Sequence, residues 1–151
     1  MKVVADTDML SIFSRIGRLD ILNELFAAII VPPSVKVELG EGKIDLKKLE
    51  PEFAQLTTRE LKDLKYVHSE LDKREKECYV IAKNRNIPLA NNEKIVHRLC
   101  KEDNMSYFSL PRILRLAIKD GIVTRNEARQ LVNSIEKEEY TVIKNKDEIF
   151  R

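Results

Sequence analysis

The chain reads as an α/β domain built on a parallel sheet that helices cover on both faces. Three observations predict this. Short apolar runs alternate with amphipathic helical segments along the chain, the pattern that parallel strands joined by helices produce. The runs are continuously apolar, as strands buried on both faces require. No repeat, low-complexity tract or linker interrupts them, so residues 1–151 are expected to form a single domain.

The elements follow in order. Val3 to Ala5 is a buried strand, ended by Asp6-Thr7-Asp8. Met9, Leu10, Ile12 and Phe13 form a helical stripe that Asp8 is placed to cap. Arg18 to Phe26 is a second helix with Leu19, Ile21, Leu22, Leu25 and Phe26 on its inner side. Ala28 to Val31 is the second strand, stopped by Pro32-Pro33, and Pro33 or Ser34 opens the next helix, through Val35, Val37 and Leu39 to Gly40. Glu41 to Leu56 has no clear period. Thr57-x-x-Glu60 has capping-box spacing and starts a helix to His68. Leu71 to Asn86 is a long helix with Cys78, Ile81 and Ala82 facing in. Ile87 to Ala90 is the third strand, Asn92 to Glu102 a helix, and Met105 to Phe108 the fourth strand. Pro111 suits a first helical turn, Gly121 ends that helix, and Thr124 caps another, whose stripe is Ala128, Leu131, Val132 and Ile135. Tyr140 to Ile143 is expected to be an edge strand.

Composition excludes some classes of function. Net charge is +2, too close to balance for a general nucleic-acid coat, so any such contact needs a local patch. Cys78 and Cys100 lack metal-type spacing and read as packed thiols of a reduced, cytoplasmic protein. Met1-Lys2-Val3-Val4 enters a strand at once, so no signal peptide is expected. No apolar run nears the ~20 residues of a membrane span. Lysine and glutamate dominate and glycines number 4, a bias of proteins from hot environments.

Acidic residues recur where sites of parallel α/β folds collect, at strand carboxyl ends. Asp6 and Asp8 follow the first strand, Glu38 the second, and Asn91, Asn92 and Glu93 the third; Glu75 lies early in the long helix. Clustered carboxylates repel, and a hard divalent cation such as Mg²⁺ or Mn²⁺ relieves that repulsion and can activate water against a phosphodiester. Each residue also has a plain structural role open to it. Asp6 can satisfy backbone amides at a turn. Asp8 can cap its helix, Glu38 and Glu75 can be solvated, and Glu93 can favour a first helical turn. His68 and His97 lie in helical stretches and read as structural or solvated.

The set, with its flanks, resembles the PIN domain family over almost the whole chain. Val4-Ala5-Asp6-Thr7-Asp8-Met9-Leu10 matches the family's apolar-Asp-Thr-x-x-Leu opening, and Gly17-Arg18-Leu19-Asp20-Ile21-Leu22 its Gly-x-Leu-x-x-Leu. Val31-Pro32-Pro33-Ser34-Val35 to Glu38-Leu39 is similar to Pro-x-x-Val-x-x-Glu, the most specific stretch. Arg74-Glu75-Lys76-Glu77-Cys78 resembles a Gly-Glu-x-Glu-Ala helix start, with Arg74 in place of glycine. Asn91-Asn92-Glu93 departs from the usual acidic pair; Glu93 keeps one carboxylate on a longer stem, and Asn92 keeps an oxygen without the charge.

The resemblance implies a three-layer α/β/α sandwich around a parallel sheet of four or five strands. It implies metal-dependent cleavage of single-stranded RNA, with Asp6, Glu38, Glu75 and Glu93 holding Mg²⁺ or Mn²⁺ and Thr7, Asp8, Asn91 and Asn92 in support. Many relatives are toxins neutralised by a small antitoxin, and many form homodimers. Arg74, Lys76, Lys94, Arg98 and Arg112 lie near the rim and are candidates for holding RNA phosphates, though lysine and arginine on helices are more often ordinary surface. A rival reading is a degenerate PIN domain that binds RNA or a protein partner without cleavage. A nucleotide-binding α/β domain would need a glycine-rich phosphate loop after the first strand, and the sequence has none.

Overall fold

The computed structural model describes residues 1–42, 44–45 and 47–151; positions 43 and 46, within the stretch read as having no clear period, lie outside it. Five strands, β1 (Lys2–Ala5), β2 (Ala28–Val31), β3 (Pro51–Phe53), β4 (Leu89–Ala90) and β5 (Tyr107–Phe108), form one parallel sheet in the order β3-β2-β1-β4-β5. The central strand buries Val3, Val4 and Ala5. Its register sets Val3 against Ile29 and Val4 between Ile30 and Leu89, so the middle of the sheet is aliphatic on both sides.

The helices are α1 (Thr7–Arg15), α2 (Leu19–Leu25), α3 (Pro33–Glu41), α4 (Thr58–Asp63), α5 (Lys73–Arg85), α6 (Lys94–Glu102), α7 (Leu110–Lys119), α8 (Arg125–Glu138) and α9 (Lys146–Ile149). They flank the sheet as an α/β/α sandwich. Helix α5 packs on β1 and β4, with α3 and α4 against it; α2 packs on β2 and α7, and α7 meets α8 and α9. Leu19, Ile21 and Leu22 of α2 and Ala128, Val132 and Ile135 of α8 join the chain's own core. No helix among the described residues is long and apolar enough to cross a membrane.

The chain builds outward from β1 to β2 and β3, then crosses β1 to lay down β4 and β5. Such a reversal opens a crevice at the strands' carboxyl ends. Asp6 follows β1 directly and Asn91 follows β4 directly, so both stand at that crevice.

Several expectations are corrected. Tyr140 to Ile143 is no strand. Tyr140 has φ 50°, the Thr141 N–H donates to the Glu136 carbonyl, and the Ile143 N–H donates to the Glu136 carboxylate, so the segment folds back on the end of α8. The fifth strand is β3 instead. Its Pro51 has no N–H, which an edge strand tolerates. Helix α4 ends at Asp63, short of His68, and α5 starts at Lys73 behind the cap Asp72. Asp8 does not cap α1; Asp6 does, its Oδ1 accepting from the Thr7 N–H at 2.7 Å.

Candidate functional site

Asp6 is buried because β1 runs to its end inside the sheet and α1 turns away at once. One carboxylate oxygen caps α1. The other, Oδ2, is buried and has no hydrogen-bond partner among the described residues. Burial pushes the carboxyl up to about 7; Arg74 and the Thr7 N–H oppose this, while the Asp8 and Glu75 carboxylates add to it. The hydroxyl of Thr7 is likewise buried and without a partner among the described residues.

A guanidinium lies among these acids. Arg74, in the first turn of α5, donates from Nη1 to both Glu38 carboxylate oxygens at 2.9 and 3.0 Å, and from Nη2 to Asp8 at 3.4 Å. Its Nε lies 2.7 Å from Asp6 Oδ1 without hydrogen-bond geometry, so that contact is a charge contact. Nη2 is also 3.9 Å from Asp72. Although burial alone disfavours its charge, the surrounding carboxylates hold Arg74 firmly protonated. Arg74 therefore faces inward, where the sequence reading had offered it to RNA phosphates.

The remaining acids stand at the edge of this cluster. Glu75 completes a capping box with Asp72, its Oε1 accepting from the Asp72 N–H at 3.0 Å. Burial raises its pKa; the Asp72 N–H and Arg74 oppose this, while the Asp72 and Glu93 charges add to it. Glu93 is exposed and precedes α6 as its cap residue, yet its side chain makes no capping hydrogen bond. Asn91 is buried; its Oδ1 accepts from the Glu93 N–H at 2.6 Å, and its carbonyl meets His97 Nε2 at 2.5 Å. Asn92 Oδ1 accepts from the Leu110 N–H at 3.3 Å. Both asparagines are thus spent on holding the loop that carries Glu93.

The position of Glu38 depends on Glu77, which belongs to the Gly-Glu-x-Glu-Ala resemblance but has no candidate role in the sequence. Glu77 is buried and its carboxylate accepts from the Ser34 N–H at 2.9 Å and from the Ser34 hydroxyl. This ties the start of α3 to α5 and fixes how Glu38, one turn further on, meets Arg74. No local signal links residues 43 positions apart.

A cleft of about 690 Å³ opens beside Asp8 and Glu93 and runs past Lys94, His97 and Lys144. A second hollow of about 490 Å³ shares Lys94 and His97 and adds Arg98, Lys101 and Arg112. The Lys144 ammonium holds Lys94 below its usual range. Neither lysine forms an ion pair among the described residues. Arg98 is paired with Glu70 and Glu102, and Arg112 donates to the Tyr107 carbonyl. Lys76 is half-buried in α5. His68 is held by Asp103 at 2.9 Å, and Cys78 and Cys100 are free and buried.

As the side chains stand, Arg74 fills the acid cluster, and no group of three or more His, Cys, Asp and Glu among the described residues closes round an ion. The donor chemistry nonetheless fits a hard divalent cation. Asp6 Oδ2 is an unspent buried acceptor. Asp6, Asp8, Glu38 and Asp72 outnumber the one guanidinium among them.

The fold and its acids define a parallel α/β domain that gathers carboxylates at the sheet's switch point. A family model described as PIN domain matches residues 2–146, and the chain belongs to the PIN-domain family. That family has a nuclease-type fold and generally uses divalent metal ions. A solved PilT N-terminus domain protein from the hyperthermophilic archaeon Sulfolobus solfataricus is similar at 15% identity, over 75% of this chain and 90% of that one, with a TM-score of 0.47. No curated protein matches the chain.

Proposed function

We propose that the chain is a metal-dependent endoribonuclease acting on single-stranded RNA. The observation that carries this reading is Asp6, buried at the switch point with a free Oδ2 and with Asp8 and Glu38 brought to it through Arg74. Asp6 and Glu38 would hold Mg²⁺ or Mn²⁺, with Glu75 and Glu93 at the open side. The ion, when bound, stabilises charge developing on a phosphodiester. The chain's own part is to place and desolvate the carboxylates and to hold phosphates along the cleft. Lys94 and Lys144 lie close enough there for one to depress the other's charge, and neither forms an ion pair among the described residues although Asp8, Glu93, Glu139 and Glu148 also line the cleft; a phosphate would relieve their mutual repulsion. A small antitoxin and a homodimer belong to the same proposal and rest on the family resemblance alone.

The test is Mn²⁺-dependent cleavage of a mixed single-stranded RNA pool. Asp6→Asn should lower the rate roughly 1,000-fold, the equivalent of about 4 kcal/mol. A second reading, RNA binding without cleavage, is favoured by the guanidinium in the acid cluster. Absence of cleavage over a range of metals and RNAs, with the fold intact, would select it.

A further inference from the structure

We propose that Arg74 is a resident counter-ion that competes with the divalent cation for the acid cluster and sets how tightly the protein holds it. The inference rests on the metal-centre reading above and gives Arg74, which gathers the acids in the absence of metal, a role in setting how tightly the ion is held. Arg74 reaches Asp6, Asp8 and Glu38 at once, and its side chain is only 20% exposed. A guanidinium cannot shed its proton at ordinary pH, so the charge can leave only by rotation of the side chain. It is tethered at one end, in the first turn of α5, on a long stem that can swing. While in place it occupies both oxygens of Glu38 and crowds Oδ1 of Asp6, leaving Oδ2 of Asp6 as the unspent acceptor. A cation entering the cluster must share Asp6 with Arg74 or take Glu38 from it. The two therefore oppose each other thermodynamically, as any two ligands of one site do.

The experiment titrates Mn²⁺, by its electron paramagnetic resonance signal and by thermal shift, into wild type, Arg74→Ala, Arg74→Gln and the double variant Arg74→Ala/Asp6→Asn. Circular dichroism checks the fold of each. Arg74→Gln keeps most of the stem, in case alanine disturbs packing. We expect both single variants to bind Mn²⁺ roughly tenfold more tightly than wild type, within the usual range of coupling between opposed ligands. Their melting temperatures should start lower without metal and rise more steeply with it. The double variant should lose the gain, placing the ion at Asp6. Equal Mn²⁺ affinity in wild type and folded Arg74 variants overturns the competition and leaves the metal centre standing. No Mn²⁺ binding in any of the four overturns both.

Discussion

The Glu77 carboxylate of α5 takes both the backbone N–H and the hydroxyl of Ser34 at the start of α3. One buried side chain thereby joins the two helices that carry Arg74 and Glu38. Glu77→Ala would leave the donors of half-buried Ser34 without this partner. We expect a loss of about 2–3 kcal/mol in urea unfolding, with a smaller loss for Glu77→Gln, which keeps one acceptor. RNA cleavage should fall in Glu77→Ala under conditions where the fold remains intact, because Glu38 is no longer held in place.

Asp6 titrates in an informative window. Its folded value of about 7 lies above the ordinary 3.8, so the folded state holds the proton more tightly. The contribution to stability is full below about pH 4 and is lost as pH rises through 7. Asp103 and Glu60 are held below their usual values and act only under more acid conditions, and Glu75, raised by burial, is present in both proteins compared. The stability of wild type relative to Asp6→Asn should therefore fall by about 3 kcal/mol between pH 5 and pH 8, in metal-free buffer. A flat difference across that range would show that Asp6 stays ionised throughout.

Lys94 and Lys144 give a salt-dependence prediction. If both hold phosphates, Lys94→Ala/Lys144→Ala should weaken binding of single-stranded RNA of any sequence. The slope of log affinity against log salt should drop by about 0.7 per lost contact, roughly 1.4 for the pair. Fluorescence anisotropy in a salt series measures it. An unchanged slope would remove the cleft from the RNA path.

Arg85 and Glu60 test the packing of α4 on α5. Glu60 is buried, and two Arg85 nitrogens meet its two oxygens at 2.9 and 3.0 Å. Arg85→Ala leaves that buried charge with the Thr57 N–H, at 2.9 Å, in place of its ion pair, and should cost about 3 kcal/mol in denaturant unfolding. Arg85→Met/Glu60→Leu should recover part of it, since no charge is then left buried, although the Thr57 N–H loses its acceptor.

The sequence made the centre of the fold legible and the periphery less so. Strands β1, β2 and β4 are apolar runs, and their burial follows from that alone. The edge strand β3, Pro51-Glu52-Phe53, carries no such run, because an edge strand is only partly buried and its chemistry is that of a loop. Tyr140 to Ile143 has strand-like composition, but the carbonyl and carboxylate of Glu136 claim its N–H groups, a contact that propensity cannot show. Asp72-x-x-Glu75 has the same capping-box spacing as Thr57 and Glu60 and marks the true start of α5. The candidate acids could be named from the chain. That Arg74 turns inward to meet Asp6, Asp8 and Glu38 could not, since a long side chain's direction is decided by the charges it finds after folding.

The two flanks of the sheet carry a consequence for behaviour at high concentration. Outer strands offer unpaired peptide groups on which another molecule can polymerise. Here one flank is β5, two residues long, and the other is β3, three residues beginning with a proline. Neither presents a ladder long enough to template growth, so the native protein should resist edge-on assembly into fibrous aggregates even when crowded.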